Sequence, residues 1–204
     1  MKNKDVLKYC IDSLTEKGID KAQCCLVESK KHEINADSGE ISLLRTTLDT
    51  DLNITGIKNR RKGDISLNNT DKESLAGAVS NINDLINTSE VDEAYDIAAG
   101  PVKKEFSSGL DKPDLDRMYQ LLDGFVKDTK NLYPDISLEQ IVFQFNIREK
   151  CLQKSNDVDL SSSKGIYSFS AMFSAKNEEK TTSFNHTSFS LDNLEKSLMQ
   201  CGSV

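Results

Sequence analysis

Two histidines, five cysteines and acidic pairs such as Asp92-Glu93 are where a search for metal binding or nucleophilic chemistry in this chain begins. His32-Glu33 begins like the H-E-x-x-H of a zincin, but Ala36 stands four places after His32 and Asp37 five. A zinc site needs several such ligands converging on one ion, and this spacing supplies no second histidine. His186 sits among Asn185, Thr187 and Ser188 with no flanking carboxylate. Both histidines read as ordinary strand residues. Cys10, Cys24, Cys25, Cys151 and Cys201 form no C-x-x-C pair. None has the Gly-rich elbow or helix start that would favour a thiolate, so they read as free thiols in a reducing compartment. Asp92-Glu93 and Glu178-Glu179 lie in polar stretches where solvation, not acid–base work, is expected. Glycines are too dispersed to cradle phosphate. No catalytic residue and no metal ligand is assigned.

Binding is the remaining chemistry. The densest basic cluster is Arg60-Arg61-Lys62; Lys30-Lys31 and Lys103-Lys104 are shorter. On residue pattern each suits a solvated turn or strand end, with Arg60, Arg61 and Lys62 the candidates for peptide or partner contact. A net charge of -7 argues against a nucleic-acid partner, which needs a concentrated basic face to displace phosphate counterions. Strands with Ser/Thr-laden faces, at 161–170 and 181–190, could add an extended peptide along an exposed edge, although such faces also serve simply as the wet side of a sheet.

The elements that must position these residues follow from periodicity. Leu7, Cys10/Ile11 and Leu14 predict a helix over 5–17 that stops at Gly18. Residues 22–29 predict a strand that 30–36 continues or follows with a second. Asp37-Ser38-Gly39 is a turn, and a strand from Glu40 runs into Leu48, Thr50, Leu52 and Ile54. Asn59 to Gly63 reads as the next turn, with Gly63 taking the positive φ, and Ile65 and Leu67 resume the strand. Thr70 or Asp71 caps a helix with Leu75, Ala78/Val79, Ile82 and Leu85/Ile86 on its apolar face; Thr70 with Glu73 matches a capping box. Residues 90–111 lack periodicity and read as a linker. Pro113 suits the first turn of a helix whose apolar face runs from Leu115 to Leu132. Strands are expected around Ile141–Ile147, Tyr167–Phe173 and Lys180–Phe189, with turns at 154–157 and 176–179. A final helix from Ser190 carries Leu191, Leu194, Leu198 and Cys201.

This order predicts an α+β fold of antiparallel-rich sheets with helices packed on one face, in two subdomains at 1–109 and 110–204. A chain of 204 residues can bury roughly 70% of its unfolded surface and needs no staple. No apolar run approaches the roughly 20 residues of a membrane span, and the N-terminus has no signal-peptide core, so a cytoplasmic location is expected.

The order of segments resembles the TldD/PmbA family, metallopeptidase-like proteins often labelled modulators of DNA gyrase. Asp37-Ser38-Gly39-Glu40-Ile41 is similar to the family's "D/N-G-E" turn. Asn53-Ile54-Thr55-Gly56-Ile57, then Arg60 to Asn68, then Thr70 to Leu75 with Ala78-Val79, resembles its "GI.V…RKG.AST.DLS.E.L..AV" stretch. Asp92-Glu93-Ala94-Tyr95 with Ile97-Ala98 looks like its acidic segment. The "RKG" turn and that segment resemble the PmbA (TldE) branch more than TldD. The likeness is strongest at 37–98 and looser at 110–201, where Ser155-Asn156-Asp157-Val158 stands for an "N-S-x-G" turn without its Gly. The resemblance implies the non-catalytic N-terminal and central part of a metallopeptidase assembly that degrades unfolded peptides. It further implies a homo- or heterodimer with a TldD/PmbA-type subunit, and a protein that continues past Val204 into a C-terminal domain. No cofactor is expected in this chain; any zinc belongs to the full assembly, since the family's H-E-x-x-x-H lies beyond this region and PmbA-type members usually lack it. The alternative is a stand-alone peptide- or protein-binding scaffold unrelated to proteolysis.

Overall fold

A computed structural model describes residues 3–201; Gly202-Ser203-Val204, read from sequence as following the last helix, lie outside them. In chain order the elements are α1 (Asn3–Glu16), β1 (Lys21–Asp37), β2 (Glu40–Lys58), β3 (Arg61–Leu67), α2 (Lys72–Thr88), β4 (Lys103–Ser108), α3 (Leu115–Leu132), β5 (Ile136–Lys154), β6 (Asp159–Ala175), β7 (Asn185–Leu191) and α4 (Leu198–Cys201). Strands are hydrogen-bonded in the order β3-β2-β1-β5-β6-β4, and β7 also pairs with β6. The β2–β3 and β6–β7 pairings are antiparallel. This is the expected α+β class.

The chain divides into two compact units, which are not consecutive in sequence as 1–109 and 110–204 would be. The first takes Met1–Ser29, Asp49–Ser107 and Arg148–Ser163; the second takes Lys30–Leu48, Ser108–Ile147 and Lys164–Val204. The physical reason is strand length. β1, β2, β5 and β6 each run for 17 to 19 residues, long enough to contribute to both units.

In the first unit α1 and α2 pack with one face of the sheet. Ala22, Cys24 and Leu26 alternate inward from β1, and Leu52 and Ile54 from β2, to meet Val6, Leu7, Cys10 and Leu14 of α1 and Leu75, Val79, Ile82 and Ile86 of α2. α1 ends in a Schellman motif. Ile19 donates to the Leu14 carbonyl (3.1 Å), Gly18 donates to that of Thr15 (2.9 Å), and Gly18 takes φ +74°. α2 is capped by Asp71, whose carboxylate accepts from the Ser74 amide at 2.9 Å. Thr70 and Glu73 do not form the expected capping box, because the cap falls one residue later.

The 90–111 stretch is not wholly a linker. Lys103–Ser108 forms β4, exposed at every residue, so no burial pattern marked it in the sequence.

The second unit has its own core, in which Met118, Leu122 and Val126 of α3 meet Ile34, Phe143, Phe145, Tyr167 and Phe169. Asp114 caps α3 by accepting from the Arg117 amide at 2.9 Å, so Pro113 lies outside the helix rather than in its first turn. The final helix is shorter than its spacing predicts. Ser190 and Leu191 belong to β7, and only Leu198–Cys201 is helical. Leu191, Leu194 and Leu198 all pack on this core, so a strand end, a loop and one helical turn reproduce the spacing of a helix face. Likewise β7 begins at Asn185, not Lys180.

Candidate functional site

The basic cluster lies at the β2–β3 hairpin. Lys58 pairs with Arg61, leaving Asn59 and Arg60 as a two-residue connection with φ +51° and +59°. Positive φ at both positions is the pattern of a type I′ turn, whose twist matches that of the flanking strands. Asn59 suits this conformation, and its amide donates to Asp20 Oδ2 at 3.0 Å. Gly63, expected to supply the positive φ, instead sits within β3 opposite Gly56. A Cβ there would lie 2.8 Å from the Ile82 carbonyl oxygen, so its role is to let α2 approach the strand.

All three cations have intramolecular partners. Arg61 donates through Nη1 to the Ser89 carbonyl, just past the end of α2. That helix has no basic residue in its last turn, so Arg61 supplies the positive charge its C-terminal carbonyls favour. Arg60 Nη1 meets Glu93 Oε1 at 2.5 Å, and the Asp92 amide donates to the Arg60 carbonyl at 2.9 Å. Lys62 Nζ meets Asp64 Oδ2 at 2.7 Å and stands 5.8 Å from the centre of the Tyr95 ring. The hydrogen bond to Asp64 holds the Lys62 ammonium above its ordinary pKa, against a smaller opposing effect of burial. Farther along, Lys21 holds Asp96 at 2.6 Å and lowers its pKa. The turn and the acidic segment are thus brought together, a contact between residues some 33 apart that sequence spacing did not disclose.

The other candidates disperse. His32, on β1, shares a 3.0 Å hydrogen bond with Thr46 Oγ1, and burial together with Lys30 lowers its pKa. His186 lies on β7 opposite Met172. Cys10 and Cys24 are buried in the first unit's core, and Cys24 is pushed far above the ordinary thiol value by its hydrogen bond with Cys10 and by burial. Among the described residues no group of three or more His, Cys, Asp or Glu could hold a metal ion. No described helix is long and apolar enough to cross a membrane.

The strand edges sort differently from their composition. The Ser-rich stretch of β6 is interior, paired with β5, β4 and β7. β7 pairs with β6 alone, so its outer edge is open among the described residues. Beside it lies a cleft of about 430 Å³ lined by Phe125, Thr129, Phe173, Thr187, Phe189 and Met199 among others. Sequence reasoning missed this cleft, because its walls come from α3, α4 and three strands.

No family model matches the sequence, and no curated protein does. Solved structures do. TldE from Thermococcus kodakarensis superposes with a TM-score of 0.74 at 16% identity, covering 94% of this chain and 43% of that one. A Thermotoga maritima protein assigned as a modulator of DNA gyrase gives 0.75 at 9% identity, covering 95% and 45%. A Bacteroides thetaiotaomicron protein with the same assignment gives 0.69 at 16%, covering 92% and 44%. The chain has the TldD/PmbA-family fold. At these identities the likeness is one of fold, and the chain spans less than half the length of each of these proteins. The TldD/PmbA fold accounts for the helix–meander–helix order of 3–88, which overlaps the 37–98 stretch where the sequence resemblance is strongest.

Proposed function

We propose that this chain is the non-catalytic N-terminal and central part of a TldD/PmbA-type proteolytic assembly. In this reading it takes part in a dimer and holds an unfolded peptide, while hydrolysis takes place at a zinc site elsewhere in the assembly. The observation that carries the reading is the match of 94% of this chain to 43% of TldE.

Peptide holding draws on the open outer edge of β7. Main-chain groups there can pair with an extended peptide whatever its sequence, and the adjoining cleft can take an apolar side chain. Arg60 and Lys62 serve as a partner contact near the acidic segment they already hold.

The test is to incubate the purified chain with an unfolded, fluorescent peptide. Binding without cleavage is expected, with cleavage appearing only when a zinc-bearing TldD-type subunit is added. Stoichiometric zinc on this chain, with chelator-sensitive cleavage by it alone, overturns the proposal.

A further inference from the structure

The least defended surface of the second unit is β2 from Glu40 to Leu48. β3 pairs β2 only from Leu52 to Lys58, so the preceding stretch has β1 on one side and no strand on the other among the described residues. Leu43, Leu44 and Leu48 are 39%, 64% and 72% exposed on it. A long open edge with exposed leucines invites pairing with another strand, and natural proteins usually blunt such edges with charge, proline or a bulge.

Here the charge is withdrawn. Arg45 is the only charged residue between Ile41 and Leu48. Its guanidinium turns back to the carboxylate of Glu33, 2.8 Å away and 4% exposed, which Lys31 (3.5 Å) and the Asn35 amide (3.0 Å) also contact. Between Ile41 and Leu48 the edge therefore presents mainly leucine, serine and threonine, with its one charge already paired.

We infer that this edge is a two-fold seam with a second copy of the chain, β2 pairing antiparallel with β2 about Thr46. The inference rests on the dimer in the proposed function and names its surface. Self-complementarity selects the occupant. In Leu44-Arg45-Thr46-Thr47-Leu48 the leucines are equidistant from Thr46, so an antiparallel copy sets Leu44 opposite Leu48 twice, with Thr46 facing Thr46. An isologous interface requires this property, and an arbitrary peptide would not share it. The seam matters most because the whole chain carries a net charge of -7, so two copies approach favourably only where charge is absent.

Sedimentation of the chain is compared with that of Leu44→Glu/Leu48→Glu, which sets four carboxylates along the seam. A wild-type dimer is expected, with dissociation raised about 100-fold or more in the variant by lost apolar pairs and like-charge contact. Both positions are exposed, so the variant's helical circular dichroism and melting point should match the wild type. In addition Thr46→Cys, placed on the two-fold axis, should give an oxidised cross-linked dimer well above the background of the five native cysteines. A dimer that survives the double substitution, or Thr46→Cys that cross-links no better than wild type, overturns the seam while leaving the dimer itself standing. A wild-type chain that is monomeric at high concentration overturns the seam and the homodimer, and leaves the heterodimer with a TldD-type subunit standing.

Discussion

Gly63→Ala should destabilise the protein even though glycine is a poor strand residue. The added Cβ would lie 2.8 Å from the Ile82 carbonyl oxygen and 3.2 Å from Ile86 Cγ1 and Leu85 Cβ. Ordinary contact begins at 3.4 Å, so the closest approach is about 0.6 Å short (3.4 less 2.8). The obstructing oxygen is helix backbone and cannot rotate aside, so α2 must shift, and with it Leu75, Val79, Ile82 and Ile86 in the core. Overpacking of this kind costs about 1–3 kcal/mol. Removing glycine's freedom from the unfolded chain returns about 0.4–1 kcal/mol. The middle of each range leaves a net loss of about 1.3 kcal/mol, or a fall in Tm of roughly 3–5 °C for a chain of this size. Gly77 provides the control on the same helix. Nothing lies within 4 Å of its Cβ position, so Gly77→Ala should stabilise by about 0.8–1 kcal/mol through helix propensity alone. Urea denaturation of both variants and of the double variant measures the two effects. A neutral or stabilising Gly63→Ala would refute the account of why Gly56 and Gly63 face each other beneath α2.

Two further outcomes follow from the titrating groups. The Asp71 carboxyl is held below its ordinary pKa by the Ser74 backbone amide first and the Ser74 hydroxyl second. Its capping contribution is therefore complete above the unfolded-state value and is lost as pH falls through the lower, folded value. Asp71→Ala should lower the denaturation midpoint at pH 6, with the gap from wild type closing as the solution is acidified; an equal gap at both ends would count against the cap. Native-state alkylation should modify Cys25, Cys151 and Cys201, which are partly exposed, before the buried Cys10 and Cys24. Mass spectrometry of a neutral-pH time course reads this directly, and early labelling of Cys24 would contradict its raised pKa.

Local order was legible in the sequence wherever one face of an element is buried. Alternation at Ala22, Cys24 and Leu26, and the stripe Leu75, Val79, Ile82, marked β1 and α2 because burial repeats at the period of the backbone. Turns declared themselves at Ser38-Gly39, and the whole succession from Asp37 to Ala98 carried the resemblance to the TldD/PmbA fold that superposition bears out. Where burial loses its period, the reading lost its purchase. β4 is exposed throughout and reads in the sequence as linker, and the leucines from 191 to 198 reach one core from three kinds of backbone.

Other features exist only by tertiary juxtaposition. Asn59 and Arg60, not Gly63, make the hairpin turn, because the pairing of Gly56 with Gly63 is set by the approach of α2. Arg60 and Lys62 meet Glu93 and Tyr95 because the chain after α2 returns over the hairpin. Whether a Ser/Thr-rich strand is an edge depends on its neighbours, which composition does not specify: β6 is enclosed and β7 is open. Sequence by itself determined which faces are apolar and in what order the elements run, since these depend on residues close along the chain. Only the tertiary structure decided which strands form edges and what holds Arg60 and Arg61, since both depend on partners tens of residues away.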